Sequence, residues 1–268
     1  MNTCKSIAIY NFKGGVGKTS TTLHLAKSWS KRFKILVIDC DPQNNLTLAL
    51  CGSTLHKQTL NSICKTYLHN SQTVIKPISI TPYLDLIPGD FEMVQMESNH
   101  QFMAFGPHIM QKILRNLKDE YDMILLDCPT HFGSTVQSAI ASADSILIPA
   151  SPDSFSLSGF HMLIDYLETI KRDNPLNILG LFFNQYKKFT LLHQHVFNEA
   201  KSTLGNLVFN QTIRDSIKVC ESNTSQMTPK SGTAKNNFMD DYLSLSEEVF
   251  ERLHVSFLYQ VSEHLKQA

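Results

Sequence analysis

Short runs of apolar residues alternate along the chain with longer amphipathic segments. The runs Ile35–Ile38 and Ile124–Leu126 are continuous, which is typical of strands buried on both faces of a parallel sheet. The predicted strands are Ser6–Asn11, Ile35–Asp39, Leu84–Ile87, Met123–Asp127, Ser145–Pro149 and Ile178–Asn184, with a further short strand at Val208–Gln211. The predicted helices are Thr19–Ser30, Gly106–Glu120, Ser134–Ser142, Ser156–Arg172, Leu191–Leu204 and Tyr242–Leu265. The alternation predicts an α/β fold with a doubly wound, mostly parallel sheet flanked by helices.

No linker divides these elements, so we expect a single domain over residues 1–268 with the last helix packed on it. Hydrophobic residues make up 42% of the chain and charged residues 18%, which excludes a disordered or collagen-like protein. No apolar run approaches the ~20 residues that cross a bilayer. The six cysteines are scattered without a C-x-x-C pair, which favours core thiols and a cytoplasmic location.

Charge is balanced overall but unevenly distributed. The chain carries 24 basic and 24 acidic residues, so its net charge is zero. Residues 174–235 contain 7 basic and 3 acidic side chains, whereas residues 236–268 contain 2 and 6. The balance excludes a strongly basic nucleic-acid coat protein, and the basic segment is where we expect an anionic partner to bind.

A glycine-rich turn joins the first predicted strand to the first predicted helix. The backbone N–H groups of such a turn, together with the helix N-terminus, bind phosphate. Lys18 is placed to reach the β- and γ-phosphates, and the Thr19 hydroxyl to bind Mg²⁺. Phe12 stands where the standard phosphate loop has its first glycine, and Lys13 adds a second lysine. The predicted nucleotide-binding residues of the turn are Lys13, Gly14, Gly15, Val16, Gly17, Lys18, Thr19 and Ser20.

The turn resembles the deviant Walker A motif of ParA/MinD-type ATPases, with Soj-like partition ATPases the most similar branch. Three later segments match the same family in order: Ile35–Thr47 its second motif, Tyr121–Pro129 its Walker B strand, and Pro149–Gly159 the segment that follows. Asn44 and Thr130 replace the glycine and proline usual in the family. The resemblance covers about Ile7–Gly180, and it implies a P-loop NTPase fold of deviant Walker A type with ATP and Mg²⁺ as cofactors.

Three carboxylates lie at the ends of predicted strands or just after them. Asp127 ends a strand, so its side chain faces the loop edge of the sheet, and we expect it to hold the Mg²⁺ shell through water. Asp39 and Asp41 are two residues apart and point the same way on an extended strand end. The resemblance implies that Asp39 supports the lysine and metal network and that Asp41 orients the attacking water. The alternative for this pair is a solvated turn before Pro42.

The resemblance also suggests roles for Lys13 and Asn184. In the family the extra lysine, here Lys13, crosses a dimer interface to the partner's phosphates, which couples ATP binding to dimerisation. The alternative is a solvated loop lysine. Asn184 matches a position where family members carry an adenine-facing Asn, but it is equally well suited to capping the turn before Lys187. Arg214-Asp215 replaces the family's Pro-Arg, which leaves the other base contacts open.

ParA-type proteins bind DNA without sequence preference as ATP-bound dimers, and a ParB-like centromere-binding protein or another activating protein stimulates hydrolysis. The resemblance therefore implies a nucleoid-associated ATPase that drives plasmid or chromosome partition. A basic surface binds DNA by counterion release. The candidate DNA-binding residues are Lys187, Lys188, Arg214 and Lys218; scattered solvated lysines are the alternative.

Two other classes were compared with this function. A MinD-like membrane-associated positioning ATPase needs a basic amphipathic helix at its C-terminus. The last predicted helix here is mostly acidic, so we expect it to pack on the core and provide no stable membrane anchor. A redox ATPase like the nitrogenase iron protein is disfavoured, because the cysteines do not lie at the expected cluster positions.

Overall fold

The computed structural model describes residues 4–69, 74–170, 177–216 and 237–267, with side chains in the last segment described for residues 238–253. The strands are β1 (Lys5–Ile9), β2 (Ile35–Asp39), β3 (Ile78–Thr81), β4 (Leu84–Ile87), β5 (Met123–Asp127), β6 (Ser145–Ala150) and β7 (Ile178–Phe183). The helices are α1 (Lys18–Trp29), α2 (Asn45–Cys51), α3 (Leu60–Leu68), α4 (Val94–Glu97), α5 (His100–Leu117), α6 (Ser134–Ser142), α7 (Leu157–Ile170), α8 (Leu191–Leu204) and α9 (Asn237–Gln267). Single 3₁₀ turns lie at Phe91–Met93, Pro152–Ser154 and Gly205–Leu207.

The strands form one sheet in the order β3-β4-β2-β5-β1-β6-β7. All neighbours are parallel except the edge pair β3 and β4. From β1 the chain crosses to β2 on one side, while β6 pairs with β1 on the other. The carboxyl ends of β1, β2 and β5 therefore meet where the winding direction changes, which is the usual ligand position in such sheets. The predicted doubly wound, mostly parallel fold is confirmed.

Side chains of the strands alternate between two helical layers. Ile7 and Ile9 of β1 face the layer that contains α1, α2 and α9, whereas Ala8 faces the layer that contains α3, α5, α6, α7 and α8. Both layers are apolar, so the central strands are buried on both faces. Helices therefore cover the sheet on both sides and leave its carboxyl edge for the loops.

Helix α9 packs against α1. The Trp29 indole donates from Nε1 to Ser246 O at 3.3 Å, and the His24 ring stacks on Tyr242 with centroids 4.5 Å apart. Burial lowers the pKa of His24 to about 4, so this imidazole is neutral inside the interface. The described helices include none that is long and apolar enough to cross a membrane.

Several elements differ from those predicted. Helix α5 begins at His100 and not at Gly106, because Asn99 caps it: Asn99 Oδ1 accepts a hydrogen bond from Phe102 N at 2.9 Å. The helices α2, α3 and α4 and the edge strand β3 were not predicted. With seven and four residues, α2 and α4 are too short for periodicity to reveal them. Val208 forms only an isolated bridge to Leu181, so the predicted strand Val208–Gln211 is wrong.

Candidate functional site

The glycine-rich turn lies at the carboxyl end of β1 and leads into α1. Gly15 and Gly17 have φ angles of 73° and 89°, in the left-handed region that favours glycine. A Cβ added to Gly17 would lie 2.0 Å from Asn184 Nδ2, whereas one added to Gly15 would have no neighbour within 4 Å. A side chain at position 17 is therefore excluded both by backbone conformation and by space.

Asn11 fixes the start of the turn. Its Nδ2 donates to Pro149 O at 2.8 Å, and its Oδ1 accepts a hydrogen bond from Lys13 N at 3.0 Å. At the other end of the turn, Lys18 Nζ donates to Lys13 O at 3.0 Å. Asn11 was not among the predicted site residues, although a polar side chain directly after an apolar strand is a signal that could have identified it.

The two lysines of the turn differ in environment. Lys18 is only 7% exposed; burial lowers its pKa, and the nearby Asp127 carboxylate opposes that effect. Lys13 is half-buried. Its ammonium forms no hydrogen bond or ion pair with any residue in the described part of the chain. Lys18 is thus held inside the site, whereas the Lys13 ammonium has no such contact among the described residues.

Asp39 and Asp127 lie opposite each other at the ends of β2 and β5 and are fully buried. Asp39 Oδ2 accepts hydrogen bonds from Thr47 N at 2.8 Å and Thr47 Oγ1 at 2.7 Å, and Asp39 Oδ1 accepts one from Asp41 N at 3.1 Å. Burial raises the pKa of Asp39 to about 6, and the Thr47 hydrogen bonds oppose the rise. Both oxygens are used by the chain itself, which fits a supporting residue better than a direct metal ligand.

One carboxylate oxygen of Asp127 has no hydrogen-bond partner among the described residues. Thr22 Oγ1 donates to its Oδ1 at 3.1 Å, whereas its buried Oδ2 has no hydrogen-bond partner among the described residues. Burial, followed by the charge of Asp39, raises the pKa of Asp127 to about 8, and the Thr19 hydroxyl opposes the rise. A cation at Oδ2 would provide the missing partner and favour the ionised form. Thr19 and Asp127 therefore fit a divalent cation.

An open cavity of about 300 Å³ lies over the turn. Asp41 borders it, and its Oδ1 accepts a hydrogen bond from Gln43 N at 2.9 Å, so its second oxygen is available to a water or ligand. The cavity is lined by Gly15, Gly17, Lys18, Thr19, Ser20, Asp41, Asn45, Thr130, Asn184, Gln185, Arg214, Asp215 and Ser216. The structure thus brings five of the eight predicted loop residues to one cavity with Asp41 and Asn184, whereas Lys13, Gly14 and Val16 do not line it.

Asn184 is engaged by the chain. Its Nδ2 donates to Val16 O at 2.9 Å, and its Oδ1 accepts a hydrogen bond from Gln185 N at 2.9 Å. This is a turn-capping arrangement that also holds the phosphate loop; the adenine contact stays a prediction. Gln185, which was not predicted, donates from Nε2 to Gly15 O at 2.9 Å. No local pattern signals a contact between residues 170 positions apart.

The candidate DNA-binding residues have different surroundings. Arg214 forms a bidentate pair with Asp241 of α9, at 2.6 and 2.8 Å, and Lys187 Nζ lies 3.5 Å from Asp215 Oδ2. Lys188 is exposed. Lys218 lies outside the described residues. Two of these four cations are therefore already near carboxylates of the same chain, which reduces the charge they offer to DNA.

Comparison with known proteins finds similarity over most of the chain. The AAA domain family matches residues 4–178. Chromosome-partitioning ATPase Soj of Treponema pallidum (strain Nichols) is 31% identical over 263 residues, which cover 92% of this chain and 98% of the relative. A ParA family protein of Chlamydia trachomatis serovar D is 32% identical over 255 residues, with 91% and 97% covered.

A solved structure has the same fold. It is that of a plasmid partition protein of Borrelia burgdorferi B31 bound to AMPPNP, with a TM-score of 0.75, 22% identity, and 94% of this chain and 99% of that chain covered. At this identity the likeness shows the fold alone. The Treponema and Chlamydia trachomatis relatives, each above 30% identity and matched over nearly its whole length, show the family, and the resemblance stated from the motifs is confirmed. The chain belongs to the ParA family of P-loop ATPases.

Proposed function

We propose that this chain is a partition ATPase. It binds ATP and Mg²⁺, forms an ATP-dependent homodimer, binds DNA without sequence preference, and moves plasmid or chromosomal cargo when a ParB-like partner stimulates hydrolysis. The name of one relative, a chromosome-partitioning ATPase, supports partition as the process. We also propose that residues 1–268 act as a single domain and that the protein works in the cytoplasm on the nucleoid.

The observation that carries the proposal is the second lysine of the phosphate loop. Phosphoryl transfer requires positioning and neutralisation of charge more than covalent chemistry. Lys18 supplies one cation within the chain, buried beside Asp127. Lys13 has no partner for its ammonium among the described residues, yet its backbone is held by Asn11 and Lys18. Such a lysine can act in trans, as an arginine finger does, which makes dimerisation depend on ATP.

Different residues hold the cation and orient the attacking water. The described residues contain no group of three or more His, Cys, Asp or Glu side chains that could hold a metal ion alone, which suits Mg²⁺ shared with nucleotide phosphates. Thr19 and Asp127 would hold it, and when bound it neutralises charge on the phosphate oxygens. Asp39 keeps Thr47 and Asp41 in place. Asp41, with one oxygen free in the cavity, orients the attacking water.

The DNA surface centres on Lys188. Lys187 and Arg214 share their charge with Asp215 and Asp241, so each subunit offers few phosphate contacts. A dimer doubles the number of contacts, and electrostatic affinity grows steeply with that number. Nucleotide state would thereby control DNA affinity without reading any base.

DNA retardation on several unrelated duplexes tests this function. Wild-type protein with ATP and Mg²⁺ should bind them about equally, and Lys187, Lys188 and Lys218 changed together to Glu should bind all of them less. The variant should also show a flatter salt dependence, because each lost phosphate contact lowers the slope by about 1. Its ATP binding should be unchanged.

A second variant, with exposed Lys31, Arg32 and Lys57 changed to Glu, serves as the charge-matched control and should bind DNA like wild type. The proposal is refuted if wild-type protein with ATP retards no duplex at low salt. It is also refuted if the two variants bind equally well.

The MinD-like alternative is not supported to the same degree. Membrane binding of that kind requires a basic amphipathic helix, and residues 236–268 carry 2 basic and 6 acidic side chains. Two relatives that match more than 90% of this chain are a chromosome-partitioning ATPase and a ParA family protein. Sedimentation with anionic liposomes in the presence of ATP distinguishes the two functions, and we expect no ATP-dependent pelleting.

A further inference from the structure

Two side-chain amides donate hydrogen bonds to backbone carbonyl groups of the phosphate loop. Gln185 Nε2 donates to Gly15 O, and Asn184 Nδ2 donates to Val16 O, each at 2.9 Å. A loop that binds phosphate points its N–H groups at the anion, so its carbonyl groups face other donors. The two amides at the end of β7 provide those donors for two consecutive carbonyls.

Gln185 adopts an uncommon backbone conformation to do this. Its φ angle is 57°, in the left-handed region that is unfavourable for a residue with a Cβ. Such a conformation persists where the surroundings determine it. Here Gln185 N donates to Asn184 Oδ1 at 2.9 Å, and Tyr186 N donates to Ile213 O at 2.9 Å. The backbone is therefore anchored on both sides, and the side chain is directed back to Gly15.

We propose that Gln185 is a positioning residue of the ATP site. Its amide fixes the Gly15 carbonyl, which keeps the N–H groups of the loop oriented for the phosphates before nucleotide arrives. The inference rests on the ATP site of this family and is independent of DNA binding. Glycine at position 185 would remove the amide and relieve the strained backbone. This variant therefore distinguishes an effect on nucleotide affinity from an effect on stability.

Titration with AMPPNP and Mg²⁺, by calorimetry, tests this role. Gln185→Gly should weaken binding about fivefold, the effect of losing one hydrogen bond, while the Tm of the nucleotide-free protein stays the same or rises. Gln185→Glu keeps the length of the side chain but replaces the donor with a carboxylate, and it should bind at least as weakly. A residue with only a structural role would change Tm and leave the AMPPNP affinity of the folded protein unchanged.

Gln194→Ala is the matched control. Gln194 Nε2 donates to Lys188 O at 2.7 Å, so this variant also loses one amide-to-carbonyl hydrogen bond, but away from the phosphate loop. Its AMPPNP affinity should equal that of wild type. The role is overturned if Gln185→Gly and Gln185→Glu bind like wild type, or if Gln194→Ala weakens binding equally. A wild-type chain that did not bind AMPPNP would overturn the ATP site as well, whereas a failure to bind DNA would leave this result intact.

Discussion

Replacing Gly17 with alanine should destabilise the protein much more than the same change at Gly15. Both glycines have left-handed backbones, with φ angles of 89° and 73°, and an L side chain there costs about 1–2 kcal/mol. At Gly15 an added Cβ has open space, so this strain is the whole effect. At Gly17 the Cβ would lie 2.0 Å from Asn184 Nδ2. This overlap is relieved only if the buried Asn184 side chain moves.

The additional effect at position 17 follows from what Asn184 would lose. When its hydrogen bond to Val16 O is broken, the buried amide is left without a partner, which costs about 1–3 kcal/mol. Added to the backbone strain of about 1–2 kcal/mol, this loss should make Gly17→Ala lower the free energy of unfolding by about 2–5 kcal/mol, against about 1–2 kcal/mol for Gly15→Ala.

Urea unfolding of the nucleotide-free variants measures both values. In an Asn184→Ala background the overlap is absent, so Gly17→Ala should lower the free energy of unfolding no more than Gly15→Ala does. A double-mutant cycle of positions 17 and 184 measures this coupling. Equal unfolding free energies for the two single variants would refute the reasoning, because the contact with Asn184 would then have no energetic effect.

Four further outcomes are expected. Lys18→Ala should abolish ATP binding in a filter or calorimetric assay, because it removes the cation at the β- and γ-phosphates. Asp41→Ala should bind ATP but release no phosphate and accumulate as a dimer; turnover at the wild-type rate would exclude Asp41 as the water-orienting residue. Lys13→Ala should bind ATP yet remain monomeric by light scattering, and an ATP-dependent dimer would exclude the lysine in trans. The pKa of Asp127 is about 8 in the folded protein and 3.8 in the unfolded chain. Its contribution to stability is therefore fully present below pH 4 and is lost as the pH rises through 8. Without Mg²⁺, Asp127→Asn should raise the urea midpoint at pH 8 more than at pH 5.

The sequence was sufficient for the central strands, for most of the long helices and for the carboxylates at strand ends, but not for α2, α3, α4 or β3. The continuous apolar runs predicted both ends of β2 and β5 correctly, and helical periodicity did the same for α6 and α8. Both signals are local, because they depend only on residues that are close along the chain. The phosphate loop was recognisable because its glycines and lysines all lie within the six residues 13–18. Asp39 and Asp127 were placed at one edge because parallel strands end together.

Tertiary structure decided how those residues are used. The order of the sheet brings the end of β7 beside the phosphate loop, so that Asn184 and Gln185 reach carbonyls 168 and 170 residues away. It also pairs Arg214 with Asp241 of α9, a contact that reduces the charge counted in the basic segment. Periodicity depends on neighbours along the chain, whereas hydrogen-bond partners and ion pairs depend on which strands and helices lie side by side. The sequence alone therefore determined the chemistry at the strand ends, and only the packing determined which side chains hold the loop and which charges remain available.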